Sequence, residues 1–293
     1  MRVAVFGATG VVGRALVPVL AAEAHEVVAV SRRPPKEGAN DAVSWVAADV
    51  TDPFAVSRAL DDVDVVYYLV HSLGSKDFEE RDRRAAVVMA RMAATAGAHQ
   101  IVYLGGLGDD DPNLSPHLRS RRETGERLSD GPVPVTTLRA AMVVGRESAA
   151  FETILALVDR LPAMVCPRWV SSPTQPIALG DAVRYLAGVC GLDAALRETL
   201  DVGGPEVMTY REMIERVARL RGKHPVIVEV PVLSPRLSSY WLNLVTPVRA
   251  SVARPLIEGL RNATIARDDR IRTLVRFPLT PFDDAAREAL REQ

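Results

Sequence analysis

The chain has 293 residues, of which 48% are hydrophobic and 25% are charged. It is long enough to bury a large core and exceeds the ~100–200 residues of one usual domain. Its 36 Lys and Arg residues nearly balance its 37 Asp and Glu residues, and the formal net charge of -1 excludes a global field that would attract nucleic acid. Two cysteines are too few for a disulfide framework, which is typical of a cytoplasmic protein. The apolar N-terminal stretch is interrupted by glycines and no run reaches the ~18 apolar residues of a membrane span, so we expect neither a signal peptide nor a transmembrane helix.

Short apolar runs alternate with helical patterns through the first half of the chain. Strands are predicted at RVAVF, EVVAV, around Val46, and at VDVVYYL, IVYLGG and PVTTLRA, and helices begin at about Val11 and Phe78. Continuous apolar runs separated by helices are typical of a parallel sheet that is covered on both faces. We therefore predict an α/β fold with a doubly wound parallel sheet.

The helix predicted from Phe78 carries one apolar stripe. The members of the stripe recur at helical spacing and are Ala85, Val88, Met89, Met92 and Ala96. Arg81, Asp82 and Arg84 are expected elsewhere around the helix axis. We interpret the two methionines as core residues and not as ligands.

After Gly145 the pattern changes. Helices are predicted at residues 151–161, 181–192 and 210–221, and the run LDVGGP indicates a further strand. We interpret residues 146–293 as a smaller, mainly helical lobe for a substrate or partner, with some segments, at about 175–204, returning to the sheet of residues 1–145.

The apolar segment 238–260 in this lobe has two interpretations. It contains Arg249 and Arg254 among apolar residues, and such a face can contact a membrane surface or a protein partner. The alternative, which we prefer, is a packed part of the lobe with these arginines toward solvent.

The sequence GATGVVGR, residues 7–14, joins the first predicted strand directly to the first predicted helix. Glycines at this spacing permit a tight turn, a close approach of phosphate, and close packing of the helix on the strand. The N–H groups at the positive end of the helix can bind a diphosphate. This pattern predicts a Rossmann-type dinucleotide site, and the alternative is a purely structural turn. The candidate cofactor contacts in the loop are Gly7, Thr9, Gly10, Val11 and Gly13.

The end of the second strand indicates which dinucleotide is bound. A protein that binds NAD usually places a carboxylate there, against the 2′-hydroxyl of the ribose. Here Ser31, Arg32 and Arg33 follow the strand, and a hydroxyl with two cations suits a 2′-phosphate. NADP(H) is therefore favoured over NAD(H). The alternative is that the arginines are only solvated, and Arg14 can join them.

Other candidate contacts follow the next strands. Asp49, just after the third strand, can accept a hydrogen bond from the adenine amino group, or it is a loop or capping aspartate. Val70 and His71, after the fourth strand, border the expected place of the nicotinamide ribose. Gly105 lies at the end of the fifth strand.

These motifs together carry a family resemblance. GATGVVG, SRRP, ADVTD, YYLVHSL, IVYLGGLG, LRAAMVVG and DVGGPEVMTYREM resemble an atypical short-chain dehydrogenase/reductase, and more narrowly its NmrA-like NAD(P)H-binding branch. The resemblance covers nearly the whole chain and implies the fold and the cofactor. It does not imply an activity, because the superfamily includes reductases, epimerases, redox sensors and structural subunits.

The chain departs from the superfamily at the residues that usually catalyse hydride transfer. Typical members have a Ser or Thr after the fifth strand and then Tyr-x-x-x-Lys. The corresponding positions here are Gly105 or Gly106, His117 and Arg121. An imidazole with a pKa near ~6.5 can exchange a proton at neutral pH, so His117 is a catalytic candidate. Arg121 is the second candidate, because it stays protonated and can bind a ribose hydroxyl or disfavour the imidazolium form of a nearby histidine. The alternative for His117 is a solvated or capping residue at a helix start.

The lobe offers candidate contacts for an apolar substrate. The residues that can line a cleft are Met142, Phe151, Met164, Trp169, Tyr240 and Trp241, with Arg168 and Gln175 as polar contacts. The alternative for each of them is a packing or surface residue. Cys166 lacks an evident partner base and is not expected to be a nucleophile, and no metal-ligand spacing occurs. Two functions therefore remain open. One is an NADPH-dependent reductase of a small apolar carbonyl or quinone-like compound, and the other is a non-catalytic NAD(P)H-binding sensor or accessory protein.

Overall fold

The computed structural model describes residues 1–35, 42–72, 75, 77–108, 114–230 and 261–291. Its strands are β1 (Arg2–Phe6), β2 (Glu26–Ser31), β3 (Val43–Ala47), β4 (Val65–Tyr68), β5 (Gln100–Gly106), β6 (Val135–Ala140), β7 (Val143–Val144), β8 (Ala163–Pro167), β9 (Pro173–Thr174), β10 (Ile177–Ala178), β11 (Thr199–Val202), β12 (Met208–Thr209) and β13 (Val226–Val230). Its helices are α1 (Val11–Ala22), α2 (Pro53–Ala59), α3 (Phe78–Ala96), α4 (Pro116–Ser129), α5 (Ala149–Arg160), α6 (Leu179–Gly188), α7 (Tyr210–Leu220), α8 (Arg270–Leu274) and α9 (Phe282–Arg291).

Seven strands form one central sheet in the order β11-β6-β5-β4-β1-β2-β3. Every neighbouring pair in this sheet is parallel. The predicted strands of the first half are therefore confirmed. The strand expected at LDVGGP is β11, which extends the sheet beside β6.

Helices cover both faces of this sheet, and the predicted doubly wound α/β fold is confirmed. On one face, Leu16 of α1 and Leu186 of α6 pack against buried strand residues such as Val5. On the other face, Val56 of α2 and Met89 of α3 pack in a second cluster. Burial of large apolar side chains on each face stabilises the sheet by about 1.5–3 kcal/mol for each side chain.

Local sequence explains where several helices begin. Asp52 accepts hydrogen bonds from the N–H groups at the start of α2, and proline occupies the first turn. Ser115 caps α4 in the same way, before Pro116. At α7, Thr209 and Glu212 form a capping box.

A separate apolar cluster lies in the C-terminal half. It joins α5, α7, α9 and the two-stranded β8–β13 sheet, with Phe151, Met213 and Phe282 at its centre. This arrangement agrees with a smaller, mainly helical lobe. A boundary at residue 145 stays a prediction, and segment 238–260 lies outside the described residues.

One buried ion pair ties this half of the chain to the sheet. Arg139 of β6 donates to Asp201 of β11 at 2.7 Å, and the carboxylate also accepts the Arg267 N–H at 2.9 Å. Asp201 is 1% exposed, so the carboxylate needs these partners to offset its loss of water. The segment before α8 is thereby held across the end of the sheet.

Candidate functional site

All seven parallel strands end at one edge of the sheet, and the predicted site residues lie there. In open α/β sheets, ligands bind at this carboxyl edge. The loops after β1, β2, β3 and β4 and the segment from β5 to α4 carry the candidates.

The glycine loop is folded tightly between β1 and α1. Gly7 has a φ of 92°, which favours glycine, and its N–H donates to Val30 O of β2 at 3.1 Å. A Cβ at Gly13 would lie 2.3 Å from Gly7 O, so only glycine lets α1 start this close to β1.

The N-terminus of α1 faces the open edge. Gly10 is the N-cap residue and contributes no side-chain cap, so the first amides of α1 lack that partner. Thr9 and Gly10 are exposed, and Val11 is half-buried. The backbone of this loop can therefore bind a diphosphate, as the sequence predicts.

The residues after β2 remain available to a ligand. The side chains of Arg32 and Arg33 are exposed and have no partner among the residues that the structure describes. The Ser31 hydroxyl oxygen is buried and also has no hydrogen-bond partner. Arg14, in contrast, forms an ion pair with Glu147.

Asp49 is already engaged within the protein. Its carboxylate accepts the Thr51 N–H at 2.9 Å and the Thr51 hydroxyl at 2.7 Å, and it pairs with Arg81 of α3 at 2.7 Å. Burial alone would raise the pKa of Asp49, but these hydrogen bonds and the Arg81 charge outweigh it and lower the pKa. The structure thus gives Asp49 the loop role that the sequence left open, and the contact with adenine stays a prediction.

The ends of β4 and β5 meet the start of α4. Val70 is half-buried and packs on the α3 side of the sheet, followed by His71. His117 lies in the first turn of α4, but the cap of that helix is Ser115, whose hydroxyl accepts the Leu118 N–H at 3.3 Å. His117 therefore does not cap the helix.

Arg121 lies one turn further along α4 and is held against β5. Its guanidinium donates to Leu104 O and lies 5.0 Å from the centre of the Tyr103 ring. The Tyr103 hydroxyl donates to Arg121 O at 2.8 Å. Gly105 is buried beside this ring, since a Cβ there would lie 3.3 Å from Tyr103 Cε1.

The two histidines and Arg121 influence one another. Burial, the Arg121 charge and the neighbouring His71 lower the pKa of His117 to about 3. Burial against its neighbours and the Arg121 charge also lower the pKa of His71, although this residue is exposed in the fold. Both imidazoles are therefore neutral at pH 7, and an imidazolium acid is not available there. A catalytic role for His117 or Arg121 stays a prediction.

Several residues expected in an apolar substrate cleft lie elsewhere. Phe151 and Met164 are 0% and 1% exposed in the core of the lobe, so they are packing residues, which is the alternative that the sequence left open. Gln175 is buried, and its side-chain amide donates to Gly204 O and accepts the Ala266 N–H. Met142 is half-buried and Arg168 exposed. The Trp169 side chain, Tyr240 and Trp241 lie outside the described residues.

Cys166 shows no sign of nucleophilic activation. The residue is buried, and burial raises the pKa of its thiol to about 11. Within the described part of the chain, no three potential ligands converge on a metal site, and none of its helices is both long and apolar enough to cross a membrane.

Sequence reasoning missed Asp82 of α3. It was expected away from the apolar stripe, but it is 5% exposed and its carboxylate accepts the Ser72 N–H at 2.8 Å and the Ser120 hydroxyl at 3.3 Å. A signal was present, because Asp82 precedes Ala85 by three residues and Met89 by seven, which places it on the same helix face.

Comparisons with known proteins bear on this site. Residues 7–148 match the model of a family described as NAD(P)H-binding. An uncharacterized protein of Mycobacterium tuberculosis is 31% identical over 241 residues, which cover 82% of this chain and 25% of that protein. The chain thus spans about a quarter of the length of this relative. The (4-alkanoyl-5-oxo-2,5-dihydrofuran-3-yl)methyl phosphate reductase of Streptomyces griseus is 27% identical, over 97% of this chain and 96% of that enzyme.

A solved structure shares the fold. The NADPH complex of an NADPH-dependent quinone oxidoreductase from Escherichia coli has a TM-score of 0.78 at 20% identity, over 98% of this chain and 99% of that chain. The sheet, the glycine loop and the family match over residues 7–148 are those of a NAD(P)H-binding Rossmann domain. That the chain is of the atypical short-chain dehydrogenase/reductase type, and of its NmrA-like branch, stays a prediction.

The lowered pKa of His117 predicts how stability depends on pH. The folded-state pKa is about 3 and the reference pKa of the unfolded chain is 6.5, so the unfolded state binds more protons between these values. Stability therefore rises with pH across this window and is lost as pH falls through it. We expect the Tm to fall from pH 7 to pH 5, and to fall less in His117→Gln, which cannot titrate.

Thermal unfolding followed by circular dichroism measures this difference. His99→Gln removes an exposed imidazole and controls for the substitution itself. An equal pH dependence of the Tm in His117→Gln and in the wild-type protein would contradict the assignment of a neutral His117.

Proposed function

We propose that the protein is an NADPH-dependent reductase of a small apolar carbonyl or quinone-like compound. The observation that carries the proposal is the cluster at the carboxyl edge, where two neutral imidazoles and Arg121 border the expected position of the nicotinamide. The cofactor supplies the hydride, and the protein supplies binding and orientation.

The preference for NADPH rests on the residues after β2. Arg32 and Arg33 are exposed cations without a partner among the described residues, and charge-assisted hydrogen bonds to a phosphate are strong. The two residues directly after β2 are arginines, where a protein that binds NAD usually has a carboxylate against the 2′-hydroxyl. The likeness to a quinone oxidoreductase that binds NADPH supports the same preference.

The proposed substrate class follows from the proton donors at the site. Gly105 and Gly106 have no hydroxyl, and the neutral His117 is not an imidazolium acid. An acceptor conjugated to a carbonyl takes the hydride at carbon and spreads the negative charge onto oxygen, so the proton can follow from water. The products are the reduced compound and NADP⁺.

Neutral imidazoles and a guanidinium fit such an acceptor. A neutral imidazole can donate its remaining N–H to a carbonyl oxygen and polarise it. Arg121 stays positively charged and favours a developing oxyanion electrostatically. The likeness to a (4-alkanoyl-5-oxo-2,5-dihydrofuran-3-yl)methyl phosphate reductase and to a quinone oxidoreductase supports reduction of conjugated acceptors.

A non-catalytic NAD(P)H-binding sensor or accessory protein is the second candidate. The absence of the Ser, Tyr and Lys residues at positions 105, 106, 117 and 121 favours it. In that case the dinucleotide binds the same loop, and hydride transfer does not occur.

The two arginines are expected to determine cofactor preference. The double variant Arg32→Ala/Arg33→Ala should bind NADPH at least about tenfold more weakly, a change of about 1.4 kcal/mol, and NADH with little change. Calorimetric titration of both dinucleotides measures these affinities. Arg58→Ala, at an exposed arginine on α2, is the matched control. Equal affinity of the wild-type protein for NADPH and NADH would contradict the NADP(H) assignment.

Turnover should depend on conjugation. We expect NADPH oxidation, followed by absorbance, to be fastest with small quinones and enones and much slower with an unconjugated ketone of similar size, because the latter needs an acid for its alkoxide. Tight NADPH binding without turnover of any acceptor would instead favour the sensor.

A further inference from the structure

Asp82 is an ionisable side chain where an apolar one would fit. It lies on the sheet-facing side of α3 with Ala85, Ala86 and Met89, and it is 5% exposed. Taking a carboxylate out of water is costly unless hydrogen bonds replace the lost solvation. Its partners therefore show what this side chain does in the fold.

Each oxygen of Asp82 accepts one hydrogen bond from the chain neighbour of a site residue. Oδ1 accepts the N–H of Ser72, which follows His71. Oδ2 accepts the hydroxyl of Ser120, which precedes Arg121. One buried carboxylate thus connects the loop after β4 to the first turns of α4.

The Asp82 carboxylate also interacts electrostatically with Arg121. Burial raises the pKa of Asp82, and the hydrogen bonds from Ser72 and Ser120 and the Arg121 charge oppose that rise. The positive charge of Arg121 therefore acts on the Asp82 carboxylate and on the imidazoles of both histidines.

The start of α4 is also held from its other side. Asn262 is 4% exposed, and its side-chain oxygen accepts the Ser115 N–H at 3.4 Å. Asn262 and Ala263 also lie against Gly108 of the loop between β5 and α4. The C-terminal half contacts α4 on this side, and on the other side the carboxylate of α3 links α4 to the loop after β4.

We propose that Asp82 is a positioning residue that fixes His71 relative to His117 and Arg121 for hydride transfer. The proposal rests on the proposed reductase function. Reacting groups must be held within about 0.5 Å of their productive geometry, and a misplacement of about 1 Å can cost about 100-fold in rate. A carboxylate with both oxygens engaged restricts two segments at once.

Asp82→Ala and Asp82→Asn separate position from charge. The alanine variant loses both hydrogen bonds, and its kcat should fall by about tenfold to 100-fold with an NADPH affinity within about twofold of wild type. The asparagine variant can still accept the Ser72 N–H and can donate to the Ser120 oxygen, so its kcat should stay within about threefold. If the asparagine variant is as slow as the alanine variant, charge and not position is responsible, and the proposal is overturned.

Ser120→Ala tests the link to α4 with little risk to folding. It removes one of the two hydrogen bonds and should lower kcat by about threefold to tenfold at unchanged NADPH affinity. An unchanged kcat in Ser120→Ala and in Asp82→Ala would overturn the proposal.

Asp181→Ala is the matched structural control. Asp181 of α6 is 1% exposed and accepts one backbone N–H and one hydroxyl, both from Thr280, at 2.7 and 3.1 Å. Its loss should lower the Tm and leave kcat unchanged. A comparable fall of kcat in this variant would show that any buried aspartate has the same effect, which contradicts a positioning role for Asp82.

An NMR measurement that needs no enzymatic activity tests the positioning role of Asp82 separately from the reductase function. The chain has five histidines, and ¹⁵N-histidine NMR resolves their ring signals, which His71→Gln and His117→Gln assign. In Asp82→Ala the signals of His71 and His117 should shift while the other three stay in place. If no acceptor is reduced by the wild-type protein, the reductase function fails but this spectrum still tests the geometry. Unchanged His71 and His117 signals would contradict it.

Discussion

The close approach of α1 to β1 at the glycine loop is the constraint on which the site depends. A Cβ at Gly13 would lie 2.3 Å from Gly7 O, and one at Gly7 would lie 2.9 Å from Leu69 O, so neither position accommodates a side chain. Because both are glycine, α1 begins directly at the strand end with its first amides toward the carboxyl edge. That edge then offers hydrogen-bond donors for a diphosphate, and the exposed cations after β2 lie beside it.

At the ends of β4 and β5, the protonation states of His71 and His117 depend on the groups that surround them. Burial and Arg121 keep His71 and His117 neutral, and Arg121 itself is fixed by Leu104 O and the Tyr103 ring. A site without an acid that is charged at neutral pH suits acceptors that delocalise the negative charge left by a hydride. The proposed substrate class therefore depends on the packing around α4 and not on a single catalytic side chain.

The sequence predicts the fold and the cofactor loop well because both depend on local patterns. Apolar runs, helical spacing and glycines identify β1, α1 and the turn between them without any distant partner. Asp82 and Arg14 are different, since Asp82 contacts Ser120 38 positions away and Arg14 pairs with Glu147 133 positions away. Phe151 and Met164 show a further limit, because an apolar residue that fills a core and one that lines a cleft look the same in a sequence.

Deuterium transfer tests the central claim most directly, that this edge delivers hydride from NADPH to a conjugated carbon. NADPH carrying deuterium on one or the other face of the nicotinamide C4 is incubated with the protein and an enone, and the product is analysed by mass spectrometry. We expect one deuterium at the β-carbon, and only from one of the two labelled cofactors. The reason is that the protein fixes one face of the nicotinamide against the substrate. NADPH consumption that leaves no label in the product with either labelled cofactor would contradict it.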